Sequence, residues 1–271
     1  AVPTCMKGIQ RMNRRDVPKA ALIDVDGVLH IDGDPIPGAV EALAHLRELD
    51  VPFRLLTNTT VRTRAALGNL LRGLGFDVAD EEIITAPVAA AAYVRRRFPD
   101  QPCYAIVKDA VLGDFGGITL TDGPEARVVI VGGAEENFTY QAMNHAFRLL
   151  MDGAALIAIH RNLWWMTAVG PTLDAGAFVK GLEHVTGRRA TVVGKPAAPF
   201  FRAGFRSLGL PPSQVVMVGD THRHDILPAI RLGATGALVQ TGSFRESDLV
   251  AGAPDYLLAS VAELPNLFTA Q

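Results

Sequence analysis

Short, wholly apolar runs alternate along this chain with stretches that are apolar only at every third or fourth position. The first run, residues 20–23, breaks into Asp24-Val25-Asp26-Gly27, which predicts a buried strand entering a polar turn. Pro37 then opens a stretch in which Val40, Leu43 and Leu46 or Arg47 recur at helical spacing. A second run, 53–56, ends in Thr57-Asn58-Thr59-Thr60. The helix predicted after it carries Leu67, Leu70, Leu71 and Leu74 on one face, with Gly75 placed to stop it. The alternation returns towards the C-terminus: an apolar run at 190–193, a helix bearing Phe201, Phe205 and Leu208, a run at 215–218, a helix through 229–232 and a run at 236–239. Strand followed by helix, repeated, is the order of a parallel sheet covered by helices, so the predicted class is α/β.

Between these halves the texture changes. Residues 87–177 hold their own apolar runs at 104–107, 128–131 and 156–159 and a helical stretch near 140–150, enough for a second, smaller α/β domain. The predicted organisation is a loose basic tail over 1–17, a core over 18–86 and 178–271, and an insert over 87–177, with hinges at Ala86-Pro87 and across 176–181.

Composition narrows the function classes. The 271 residues are 49% hydrophobic and 20% charged, values that exclude a disordered tail, a fibrous repeat or a membrane bundle. With 26 basic against 28 acidic side chains the net charge is −2, so neither nucleic acid nor an anionic membrane is expected as a partner, and an anionic ligand needs a local positive site. The longest apolar run falls far short of the ~18 residues of a membrane span, and the tail lacks the apolar segment of a signal peptide. Cys5 and Cys103 stand in no metal-binding or redox spacing, which suits reduced thiols and a cytoplasmic location.

The polar clusters fall at the ends of predicted strands: Asp24 and Asp26 after the first, Thr57 and Asn58 after the second, Lys195 after 190–193, and Asp220 with Asp225 after 215–218. Ligands of open parallel sheets bind beyond the carboxyl ends of the strands. Singly, each cluster reads as a turn or a helix cap. Together they are chemically complementary. Phosphoryl transfer needs a nucleophile, a proton donor for the leaving group, a hard cation and positive charge on the phosphate oxygens. Asp24 can serve as nucleophile, and Asp26 can act on the leaving group beside it. Asp220 adds a third carboxylate for Mg²⁺, Thr57 and Asn58 can hold phosphate oxygens, and Lys195 supplies the cation.

Asp24-Val-Asp-Gly-Val, Leu56-Thr57-Asn58, Gly194-Lys195-Pro196 and Gly219-Asp220-x-x-x-x-Asp225 resemble, in order, the four motifs of the haloacid dehalogenase superfamily of phosphohydrolases. The resemblance runs from about Lys19 to near the end of the chain. It implies a Rossmann-like parallel sheet with helices on both faces and an inserted α/β cap between the second and third motifs. It also implies roles: Asp24 as nucleophile, Asp26 as general acid and then base with its backbone carbonyl on Mg²⁺, Asp220 as a metal ligand, and Asp225 orienting the metal shell or Lys195. A carboxylate at Asp26 favours phosphate over haloacid chemistry. Thr221 departs from the pattern, since close relatives often carry a further acid there.

The resemblance further implies that the cap loop holding Arg161, Asn162 and Trp164 faces the active site and selects substrate, and that the cap can carry a homodimer interface. His222 and His224 lack a third nitrogen or sulfur ligand and read as structural or solvated. His30 reads as a loop histidine, and Arg95-Arg96-Arg97 as a solvated helix end. The expected function is a Mg²⁺-dependent phosphohydrolase of small phosphomonoesters of the p-nitrophenyl phosphate type, acting through an aspartyl-phosphate. The alternatives are hydrolysis of P–N bonds or pyrophosphate, and a catalytically weak binding or regulatory protein on the same fold.

Overall fold

The computed structural model describes residues 10–11, 17–167 and 169–269, and within it the chain divides into two compact units. The first comprises Ala1–Thr57, Ala65–Ile84 and Phe201–Gln271; the second comprises Asn58–Arg64 and Thr85–Phe200.

The first unit is built on a seven-stranded sheet in the order Gln10–Arg11, Tyr256–Leu258, Thr235–Val239, Val215–Gly219, Ala20–Asp24, Phe53–Thr57, Ile83–Thr85. The strands from Tyr256–Leu258 through Phe53–Thr57 pair in parallel, while Gln10–Arg11 runs antiparallel at the edge. Every residue of Ala20–Asp24, Val215–Gly219 and Thr235–Val239 is buried, which is why these strands read as continuous apolar runs rather than as alternations. On one face Ile23, Leu55 and Val216 pack with Leu43 and Leu46 of helix Ala39–Glu48 and with Leu67 and Leu71 of helix Arg64–Gly73. On the other, Leu22 lies beneath Gly204 of helix Ala198–Leu208, and Leu238 and Leu257 pack with Ile226 and Ile230. The fold is thus a parallel-sheet α/β structure with helices on both faces. From the central strand Ala20–Asp24 the chain goes to Phe53–Thr57 on one side, and the C-terminal strands are laid down on the other. The junction of Ala20–Asp24 with Val215–Gly219 is therefore a topological switch point, the place in an open α/β sheet beyond whose strand ends ligands bind.

The second unit has a four-stranded sheet, all parallel, in the order Thr191–Val192, Ala155–Ala158, Val128–Val131, Cys103–Ile106. Val129, Val131, Leu156 and Ala158 pack with Leu149 and Leu150 of helix Tyr140–Met151 and Val179 and Leu182 of helix Ala175–Thr186. Both helices start at side-chain caps: Ala142 N–H donates to Thr139 Oγ1 at 3.1 Å, and Ala175 N–H to Asp174 Oδ1 at 2.7 Å. A hairpin of Trp164–Thr167 and Gly170–Leu173 completes the unit.

Two expectations change. The run at 190–193 was expected to return the chain to the core sheet, but Thr191–Val192 pairs with Ala155–Ala158 in the second unit. The apolar pattern identifies a strand without naming its neighbour. Here helix Ala175–Thr186 is the crossover of a βαβ unit, and it delivers the strand beside the one it left. Residues 178–200 accordingly group with the second unit, beyond the expected boundary at 177/178. Of the expected tail, 1–9 and 12–16 lie outside the described residues, Cys5 among them. Cys103 is a free, buried thiol that burial pushes up to about 11. Among the described residues no helix is long and apolar enough to cross a membrane.

Candidate active site

At the switch point of the first unit three carboxylates converge. Asp24 ends its strand, Asp220 follows Val215–Gly219, and Asp225 lies in a π-helical turn, His222–Ile226. The turn folds back by the Asp225 N–H donating to Thr221 O at 2.9 Å. All three are buried, and each offers an oxygen within 4.8 Å of the others'.

Backbone geometry makes this approach possible. A Cβ on Gly27 or on Gly242, both at positive φ (+77° and +60°), would run into the Asp220 carboxylate, and one on Gly219 would run into the Asp225 side chain. Asp24 Oδ1 accepts from Val25 N–H at 2.8 Å. Asp220 is held on both oxygens, by Thr221 Oγ1 at 2.9 Å and by the N–H of Ser243 at 2.7 Å, and Thr221 N–H donates to Asp225 Oδ2 at 3.2 Å. Thr221, which departs from the expected acid, thus helps to hold both Asp220 and Asp225.

Three carboxylates at this spacing repel one another when ionised, by several kcal/mol per pair at the effective dielectric of a protein site, ~4 at 4 Å. A hard cation relieves that repulsion, and an all-oxygen donor set suits a divalent ion. Asp24, Asp220 and Asp225 therefore fit a divalent metal. Neither His222 nor His224 belongs to the group.

Asp26 differs from these three: its side chain is 72% exposed. Its Oδ2 accepts from Thr57 Oγ1 at 3.3 Å, so the hydroxyl at the end of Phe53–Thr57 steadies the carboxyl group one strand away.

In the second unit Asn58 and Lys195 are paired reciprocally. Asn58 Nδ2 donates to Lys195 O at 3.0 Å, and Lys195 N–H donates to Asn58 Oδ1 at 2.8 Å. The amide of Asn58 is thereby committed to the Lys195 backbone, and the Lys195 side chain is buried. Arg161 forms an ion pair with Glu183, whose Oε1 also accepts from Ala190 N–H at 2.8 Å. Asn162 O accepts from Gly176 N–H at 2.8 Å, and Trp164 stands exposed opposite Leu173 on the hairpin. His160, just before this loop, is buried with Nε2 3.7 Å from Asp174 Oδ1. Burial holds its imidazole below the usual 6.5, against an opposing pull from the Asp174 carboxylate.

Sequence reasoning missed the loop after Thr235–Val239. Thr241 Oγ1 donates to Gly27 O at 2.6 Å, and Gly242 and Ser243 wrap Asp220. The available signal was that this run also ends at the same sheet edge in a polar Thr-Gly-Ser.

Residues 21–117 match the family model described as haloacid dehalogenase-like hydrolase, and residues 192–264 match a second, HAD-hydrolase-like model. Haloacid dehalogenase-like hydrolase domain-containing protein 2 from Homo sapiens is 44% identical over 230 residues, 85% of this chain and 87% of that protein. Phospholysine phosphohistidine inorganic pyrophosphate phosphatase from Homo sapiens is 36% identical over 236 residues, 85% and 86% of the two chains. Among solved structures, the p-nitrophenyl phosphatase from Archaeoglobus fulgidus superposes with a TM-score of 0.84 at 28% identity, covering 93% of this chain and 99% of that one.

Proposed function

The chain belongs to the haloacid dehalogenase-like hydrolases and is a phosphatase, and from that premise we propose that it is a Mg²⁺-dependent phosphomonoesterase that works through a phosphorylated Asp24. The convergence of buried Asp24, Asp220 and Asp225 at a switch point, with Asp26 two residues beyond the first, carries this reading.

A carboxylate oxygen of Asp24 attacks phosphorus, the bond to the leaving oxygen breaks, and its electron pair stays on that oxygen. Asp26 donates the proton the leaving oxygen takes up. It then removes a proton from the water that attacks the aspartyl-phosphate, and inorganic phosphate leaves as Asp24 is restored. A positioned acid of this kind contributes about 10²–10⁴-fold. Thr57 orients Asp26, and the place of Lys195 in the motif order assigns it to the phosphate oxygens, with Asn58 fixing its backbone. Asp24, Asp220 and Asp225 are the residues that would hold Mg²⁺, whose charge lets two anions approach. A free thiol at Cys103 suits a reducing compartment such as the cytoplasm.

Asp24→Asn is the direct test. It keeps the size of the side chain and removes the nucleophile. Turnover of p-nitrophenyl phosphate is expected to fall to background with an unchanged circular dichroism spectrum, and removal of Mg²⁺ with a chelator should abolish wild-type turnover reversibly. A fully active Asp24→Asn protein overturns the mechanism. The relative acting on phospholysine, phosphohistidine and pyrophosphate supports a second substrate reading, and comparing turnover of imidodiphosphate and pyrophosphate with that of phosphomonoesters separates the two.

A further inference from the structure

His30 begins the short hairpin His30–Ile31/Asp34–Pro35 in the first unit, immediately after the turn that carries Asp26. Its side chain is only 5% exposed, yet neither ring nitrogen has a hydrogen-bond partner. Buried polar atoms without partners are rare, and each one calls for an explanation. The backbone supplies none. Gly27 N–H donates to His30 O and Ile36 N–H to Leu29 O, both at 2.9 Å, so the turn and the hairpin close without help from the ring. An apolar side chain would fill the same space with no polar atom left unmet.

Nε2 of His30 lies 3.9 Å from Oδ1 of Asp26, too far for a hydrogen bond but close enough for a small rotation of the exposed carboxyl group to make one. Oδ2 of Asp26 already accepts from Thr57 Oγ1. We propose that His30 is a positioning residue, its Nε2–H donating to Asp26 Oδ1 so that the carboxyl group is held from both sides in the orientation that delivers a proton to the leaving oxygen. Each carboxylate oxygen has two lone pairs, so one donor on each leaves one open on each for the transferred proton. With Thr57 alone the carboxyl group can swing about its bond to Cβ. Displacement of about 1 Å at a reacting group can cost 10²-fold. The proposal rests on Asp26 being the proton donor.

The test compares kcat/KM on p-nitrophenyl phosphate and on phenyl phosphate, whose leaving oxygen is the stronger base and needs the acid more. His30→Phe keeps a ring and removes the donor, and His30→Gln keeps a donor of similar reach. His30→Phe is expected to cost phenyl phosphate about tenfold more than p-nitrophenyl phosphate, with most of the difference recovered in His30→Gln. Equal losses on both substrates, no loss, or a His30→Gln protein as selective in its loss as His30→Phe would overturn the role. Asp26→Asn separates the two readings. A steeper loss on phenyl phosphate upholds Asp26 as the donor whatever His30 does, whereas a uniform loss removes the premise and His30 with it. Should His30→Phe not fold, His30→Asn, too short to reach, is read against His30→Gln in the same way.

Discussion

Gly27 shows how little room the carboxylate centre leaves. Its φ of +77° is strained for any other residue, and a Cβ there would run into the carboxylate of Asp220. Gly33 makes the comparison, because its φ is +93° but nothing stands within 4 Å of a Cβ built on it. Gly27→Ala should therefore lower kcat/KM on p-nitrophenyl phosphate by about 100-fold and raise the Mg²⁺ needed for half activity. Gly33→Ala should cost stability but leave turnover near wild type. Equal activity of the two proteins would show that the tight packing around Asp220 has no catalytic consequence. The same scale explains what could be read in advance. Asp24, Asp220 and Asp225 could be picked out as candidates because side-chain chemistry leaves a signature in sequence, but their grouping could not: Asp225 is expected only to orient the metal shell or Lys195, whereas its carboxylate stands in the buried cluster itself. Ser243 was not, since it holds Asp220 through a backbone N–H that any residue but proline can offer.

At the scale of elements, helix Ala198–Leu208 approaches the sheet so closely that a Cβ on Gly204 would stand 2.8 Å from Leu22 Cδ2, on a side chain with no exposed surface. Gly204→Val should overpack this contact and destabilise the protein by about 1–3 kcal/mol in urea unfolding. A neutral result would mean that Leu22 has an alternative rotamer to occupy. Strands such as Val215–Gly219 announced themselves as apolar runs because helices cover both faces. Thr191–Val192 announced its type but not its sheet, because pairing depends on where the preceding helix returns the chain. The cap loop was legible only in part. Its residues were named, but the ion pair of Arg161 with Glu183 joins positions on separate elements, and no local pattern carries it.

At the scale of the molecule, the second unit carries a buried histidine that makes stability depend on acid. His160 lies in the second, and its folded pKa sits below 6.5. Between that lowered value and 6.5 the unfolded chain binds a proton that the folded one refuses, so stability is full above 6.5 and declines as pH falls below it. Thermal unfolding from pH 7.5 to 5.5 should show a steeper loss for the wild type than for His160→Gln, and identical slopes would rule this out. The switch-point topology has a further consequence, in the order of assembly. Met217 pairs directly with Leu22, a partner roughly two hundred residues upstream, whereas the pairs of the inserted sheet, such as Val129 with Leu156, close over a few dozen. Contacts that span less chain form sooner. On the ribosome, the strand that ends in Asp24 can pair early with Phe53–Thr57 but meets Val215–Gly219 only after the insert has been made, so the cluster of Asp24 with Asp220 and Asp225 is completed late and a product truncated before residue 215 lacks it.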